Sequence, residues 1–490
     1  MATVAYTPND PLAVGGPPQR KVTPGRFPAG SAKFSVQPTA AAGAYQPHTP
    51  EFDYWQTQLA LIAGLQTWKA VDGKYPKRWF GDQTSLPVHT NAGDDLNAFY
   101  DRASLQFFSH TFGGVTVHSC ESVDVVTHEQ GHAMLDAIRP DFFEVPFIEI
   151  GALHEAFGDC IALITALGDK ATRDRVIAIS RDLSASHFVE SLAEQLGDAI
   201  LREFGPGTVE VGALRHALNQ FRWADPTSLP GNAPADRICG EVHSFARVFV
   251  GAFYDLIRNM HNSGPRTSAG LHDAALRAGK LLLAAIRTVP AAPRAFEGVG
   301  RRMMQADATL NGGANATAIR TAFAAHGMAL PAPMASIPVP LERRTRGDGL
   351  AELRRRMAVP PDAEMEITPI ESELHGEIAH VTAYRPLQLT EDLPGVQVNV
   401  PASARVTRRG RSITGTIGEV QPAAAEVDTE ARAFVRTLVQ NGDVRMPTRV
   451  ARRLQAPPLG ATAPRRTATH EVRMDRGRPT LKRVGFSCRA

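Results

Sequence analysis

The segment Gly151-Ala-Leu-His-Glu-Ala-Phe-Gly-Asp-Cys-Ile-Ala-Leu carries two carboxylates, Glu155 and Asp159, on a run otherwise too apolar to face water. Four residues apart on a helix, they share one face. A buried carboxylate is costly unless it is paired or bound to a cation, so any fold that includes this helix must bring it partners. His132, nineteen residues before Gly151, ends the pattern His128-Glu-Gln-Gly-His132. Val125, Val126 and Leu135 give that second segment an apolar helical face. His128 and His132 are one turn apart and can aim ring nitrogens at a single metal ion. Two imidazoles plus the Glu155 carboxylate form the three-ligand set of a zinc site with an open position. Glu129 lies about 100° round the helix from His128. It cannot easily ligate the same ion, but it can reach a water there and act as a general base. Asp159 is expected to accept an N–H from a ligand imidazole and fix its tautomer.

These two segments, HEQGH and GALHEAFGD, resemble those of the thermolysin-like zinc metallopeptidases, the gluzincins with HExxH and a downstream GAxNExxSD. The resemblance spans roughly residues 50–330. It implies an α+β, two-lobed catalytic domain, with a sheet-rich N-terminal lobe, a helical C-terminal lobe and zinc between them. It further implies a zinc-dependent endopeptidase acting on peptide or protein substrates. Leu96-Asn97-Ala98-Phe99-Tyr100 falls where that family has the edge strand that binds the substrate backbone, which makes Asn97 and Ala98 substrate-binding candidates. Gly240-Glu-Val-His243 resembles the family's Gly-Val-His, implying that His243 stabilises the oxyanion. Arg215 resembles an arginine that contacts the substrate carbonyl. Some features depart from the pattern. No tyrosine lies between His132 and Glu155, where Phe142 and Phe143 stand instead, so an oxyanion donor is missing. His154 replaces an Asn beside the zinc glutamate. Asp124 matches one ligand of the family's double calcium site, but Ala166 stands where a second carboxylate belongs. The double site is therefore expected to be absent, with Asp124 serving as a helix cap. Asp236 and Glu241 are near His243, but neither has the offset of the family's orienting Asp.

A chain of 490 residues exceeds what one core usually supports. Residues 1–48, rich in Pro, Gly and Ala, read as an extended arm. Residues 49–330 form the metallopeptidase-like domain. Its pattern predicts a helix over 51–71, then short antiparallel strands near 86–90, 96–100 and 105–108 with a turn at Gly113-Gly114. Helices follow at 124–137, 150–167, 175–181, 188–204, 242–260, 268–287, 293–311 and 315–326. Four prolines between Pro331 and Pro340 mark a linker over 331–349. Residues 350–490 read as a small α+β or β-rich C-terminal module. From Pro401 onward it has 18 Lys plus Arg against 7 Asp plus Glu, while the rest of the chain sums to −8. A solvated Arg-rich surface explains this, and so does an anionic partner. The module is also a candidate restraint on activity, as an inhibitor or a targeting domain.

Cys120, Cys160, Cys239 and Cys488 form no CxxC pair, so neither a thiolate zinc site nor a disulfide framework is expected. No Sec-type signal and no membrane span is visible, which points to a cytoplasmic protein or one exported by another route. Two readings compete with the peptidase. One is a zinc-fold scaffold or binding protein with weak or no turnover. In the other, the basic C-terminal module carries the function by binding anions.

Overall fold

A computed structural model describes residues 2–331, 338–340, 349–361, 363–370, 377–410, 412–417, 420, 425–454 and 468–488. The architecture is mixed α+β. Residues 1–48, read from composition as an extended arm, contribute strands to the domain. Its strands β1 (Val4–Tyr6) and β2 (Arg20–Val22) pair antiparallel, and β3 (Lys33–Gln37) joins the main sheet. Gln56 holds the arm through both backbone groups of Thr7, at 2.9 and 2.8 Å. Helix α1 (Pro50–Asp72) starts at Thr49, whose hydroxyl accepts from the Phe52 N–H, with Pro50 in the first turn. It ends at Gly73 in the left-handed region, φ 78°.

After α1 come β4 (Ser85–His89), β5 (Ala98–Tyr100) and β6 (Leu105–Phe107), then the hairpin β7 (Ser109–Phe112) and β8 (Val115–His118), which turns at Gly113-Gly114 as expected. The sheet is mixed rather than antiparallel: β3 pairs parallel with β4 and β4 with β6. The cause is α1. A parallel pair needs a long crossover, and α1 supplies one between β3 and β4.

Helices α2 (Val123–Ile138), α3 (Asp141–Glu144) and α4 (Ile148–Ala166) follow, and every residue of α4 is buried. Then come α5 (Lys170–Ile179), β9 (Ser191–Leu192), α6 (Glu194–Phe204), β10 (Arg215–His216), α7 (Val242–Asn262), α8 (Ser268–Ile286), α9 (Ala295–Asn311) and α10 (Ala316–Ala325). The helix expected from Phe188 begins only at Glu194, because Ser191 and Leu192 pair with His216 and Arg215.

The expected linker lies largely outside the described residues. Inside it, β11 (Pro338–Pro340) is a strand; past it lie α11 (Leu350–Arg356), β12 (Met365–Ile370), β13 (Ile378–Gln388), β14 (Gln397–Arg409), β15 (Ser412–Ile417), α12 (Ala425–Gln440), β16 (Val444–Arg445), α13 (Thr448–Leu454), β17 (His470–Asp475) and β18 (Arg478–Arg483). All eight strands from β11 to β18 share one sheet. A final strand, β19 (Phe486–Ser487), leaves that sheet and pairs with β5 in the N-terminal lobe, making the strand order β19-β5-β6-β4-β3.

The module has a small core of its own around Leu353, Val381, Ala404 and Ile413. Its Val398, Phe434, Leu438 and Phe486 belong instead to the main core. Polar ties reinforce this docking. Phe147, at the N-cap of α4, offers no side-chain acceptor, and Glu430 of α12 accepts the Ile148 N–H at 3.2 Å in its place. Buried His380 of β13 donates from Nε2 to the Arg287 carbonyl at the end of α8, at 2.7 Å. Burial first, and Arg139 second, hold the His380 imidazole down at about 3. Its stabilising effect is therefore complete above about pH 6.5, the unfolded value, and is lost as pH falls from there toward 3. At pH 5 we expect this group to cost roughly 2 kcal/mol of stability. Denaturant midpoints at pH 7 and 5 test this, and His380→Gln should flatten the difference. No single described helix is long and apolar enough to cross a membrane.

Candidate functional site

Two glycines let α2 and α4 approach closely. A Cβ on Gly131 would lie 2.8 Å from the Gly158 Cα, and a Cβ on Gly158 would lie 2.7 Å from Nδ1 of His128. This contact sets His128 against α4, where its Nδ1 meets Asp159 Oδ1 at 2.8 Å, as expected of that residue. His132 Nδ1 meets Nδ1 of His154 at 2.8 Å, so one ring donates and the other accepts. His154 thus takes the orienting place beside its neighbour's ring. With their Nδ1 atoms occupied, both metal-candidate histidines turn Nε2 inward. These atoms approach Glu155 Oε2 to 3.2 and 3.6 Å.

None of the converging atoms is satisfied by a hydrogen bond. His128 Nε2, His132 Nε2 and both carboxylate oxygens of Glu155 and of Glu129 are buried without a partner. Close approach without hydrogen-bond alignment is the pattern left by donors that share a cation. Two imidazoles and a carboxylate, each with an oriented neighbour, fit a zinc-like divalent ion. Glu129, one residue along α2, is not in this trio but lies next to it.

The charges around the trio are arranged in layers. Burial alone would raise Asp159, but Arg215 and then His128 outweigh it and hold the carboxyl well below its ordinary range. Arg215 grips Asp159 with Nε at 3.0 Å and Nη2 at 2.8 Å. Arg215 therefore acts on α4 as well as lining the cleft where substrate contact was expected. Burial pushes Glu129 up to about 8, although His128 pulls it the other way. A divalent cation beside Glu129 would bring that value down again.

His243 stands in the first turn of α7, near Glu155. Its Nδ1 lies 2.6 Å from Glu241 Oε1, while Glu241 also accepts the Ser244 N–H and caps the helix. The orienting carboxylate is thus Glu241, two residues away, despite its unexpected offset; Asp236 faces Arg237 instead. Burial lowers His243, but Glu155 and Glu241 prevail and hold it at about 9. Its Nε2 lies 2.6 Å from the Ser487 carbonyl oxygen, which can only accept, so Nε2 is a donor.

Asp124 does not cap α2; Ser122 does, through the Val125 N–H. Asp124 sits in a buried acidic group instead. Burial and Asp10 raise Asp124 well above its ordinary value, and burial with Asp10 and Asp124 pushes Glu194 up to about 11.

A cavity of about 850 Å³ opens beside Glu155, Arg215 and His243. Arg483, Phe486 and Ser487 of the C-terminal module form part of its wall. No sequence signal marks a role for these three residues; Cys488 stands there only as an unpaired cysteine, and Glu241 as an acid near His243 at an unexpected offset. The signal available for Cys488 was a free thiol outside any paired motif, and for Glu241 an acid at a helix start. No family model matches the chain, and no curated protein matches it.

Proposed function

We propose that the chain is a zinc-dependent endopeptidase with a thermolysin-like two-lobed catalytic domain. The observation that carries this is the convergence of unpartnered buried donors from His128, His132 and Glu155 beside the unpartnered Glu129 carboxylate. His128, His132 and Glu155 would hold the metal, which when bound supplies Lewis acidity toward a carbonyl and a lowered pKa for water. Glu129 takes the proton from the attacking water and passes it to the departing amine nitrogen. Its burial, with no competing hydrogen bond, keeps the carboxylate free for both transfers. His243, charged and steadied by Glu241, donates from Nε2 to the carbonyl oxygen as negative charge develops there. Strand β5 offers its backbone to an extended peptide, with Asn97 and Ala98 at its start.

Cleavage of a quenched peptide library by the protein should vanish with a zinc chelator and return when zinc is added back. Absence of cleavage from zinc-loaded protein, both intact and lacking residues 484–490, would overturn the reading and favour the scaffold.

A further inference from the structure

Strand β19 lies where a substrate would lie. It runs antiparallel to β5, with Phe486 opposite Tyr100 and Ser487 opposite Phe99, and the Cys488 N–H donates to the Ala98 carbonyl at 2.8 Å. Each residue of the segment has a receptor. A Cβ on Gly485 would fall 2.3 Å from the Phe99 ring and 2.6 Å from the Tyr100 carbonyl oxygen, so only glycine permits this approach. The Phe486 ring stacks on His154 at 3.9 Å and on His132 at 4.7 Å, edge-on to Phe143 and beneath Arg483. The Ser487 hydroxyl donates to Asn97 Oδ1 at 2.9 Å, and its carbonyl accepts from His243 Nε2 at 2.6 Å. The groups expected to hold a peptide substrate therefore hold a peptide, and it is the chain's own.

The next residue adjoins His128, the metal candidate nearest to it, and the Glu129 carboxylate, whereas His132 and Glu155 converge with His128 in a separate group. Cys488 is buried and unpaired. Its Sγ, one ring nitrogen of His128 and one carboxylate oxygen of Glu129 lie within 4.8 Å of one another. His128 Nε2 and both Glu129 oxygens have no hydrogen-bond partner, so the thiol meets open donors rather than a satisfied network.

We propose that residues 484–488 are a built-in occupant of the substrate cleft, and that the Cys488 thiolate is the fourth ligand of the metal held by His128, His132 and Glu155. This rests on the metallopeptidase reading and adds the means by which the activity is restrained. Zinc binds thiolate readily, and a sulfur in the open position excludes water from Glu129. Coordination releases one proton from the thiol, which passes to the neighbouring Glu129 carboxylate or to solvent; no oxidant is needed. Freeing the cleft requires the strand to leave β5 and the sulfur to leave the metal.

The test uses the full chain loaded with cobalt(II) in place of zinc. With one cobalt per chain, a thiolate-to-cobalt charge-transfer band in the near ultraviolet is expected, and Cys488→Ser should abolish it without loss of cobalt. Cys120, Cys160 and Cys239, buried elsewhere, remain in that variant as internal controls. Zinc-loaded Cys488→Ser should cleave peptides faster than the parent, by on the order of tenfold or more, since an intramolecular occupant acts at high effective concentration. In the unmodified protein, iodoacetamide should label Cys488 slowly with metal bound and faster after chelation. Cobalt bound without the band, or Cys488 labelling indifferent to metal, overturns the thiolate ligand while leaving the metal centre standing. Failure of both proteins to bind cobalt overturns the metal centre and this inference together.

Discussion

Glu129→Gln should lower peptide hydrolysis by about 10²–10⁴-fold, the range that a positioned general base contributes. Metal content should not change, because Glu129 lies outside the His128, His132 and Glu155 trio. The amide keeps the shape of the side chain and removes a carboxylate that burial has driven up to about 8. The variant should therefore melt no lower than the parent, since it no longer buries an ionisable group without a partner. The comparison belongs in the Cys488→Ser background, where loss of the sulfur gives the larger starting rate. Turnover within a few-fold of the parent, with zinc bound one to one, would assign the base to another residue.

The second large effect is expected at Asp159. Its carboxylate holds His128 Nδ1 on one side and the fork of Arg215 on the other. Asp159→Ala removes the group that orients a metal-candidate ring, which typically costs about 10–100-fold in metal affinity. It also leaves Arg215, only 5% exposed, as a buried cation without its partner. Breaking such a pair from one side costs roughly 3–5 kcal/mol. Adding Arg215→Met should restore much of the stability but none of the affinity. Zinc titration and denaturant unfolding of the two single variants and the double variant separate these contributions. If the double variant bound zinc as tightly as the parent, Asp159 would have no orienting role.

The helices between residues 123 and 325 were largely legible because local periodicity and breakers agree there. The helices containing His128 and Glu155 begin and end within about two residues of where pattern reasoning puts them, the usual uncertainty of such boundaries. The mixed sheet was not legible. Strand β3 alternates buried and exposed residues, but it lies in a Pro- and Gly-rich arm, and its parallel pairing depends on a crossover that no local pattern records. For the site, spacing on single helices pointed to the metal-candidate trio, whose donors converge, and to Asp159, which meets His128. The Glu241 to His243 contact was missed because a family offset was expected where the local turn supplied an acid closer in sequence. Strand β19 was invisible for another reason. Two residues at the end of a basic module carry no periodicity, and their meaning comes only from the edge they meet.

The cap on α4 bears on the order in which the molecule assembles. The Ile148 N–H is satisfied by Glu430, 282 residues along the chain. Until that loop closes, the helix with Glu155 and Asp159 has a loose first turn, and closing so long a loop is entropically costly. The donors on α4 can settle into their final geometry only once the distant partner docks. In refolding, the affinity for zinc should thus mature late, after most of the helical signal has returned.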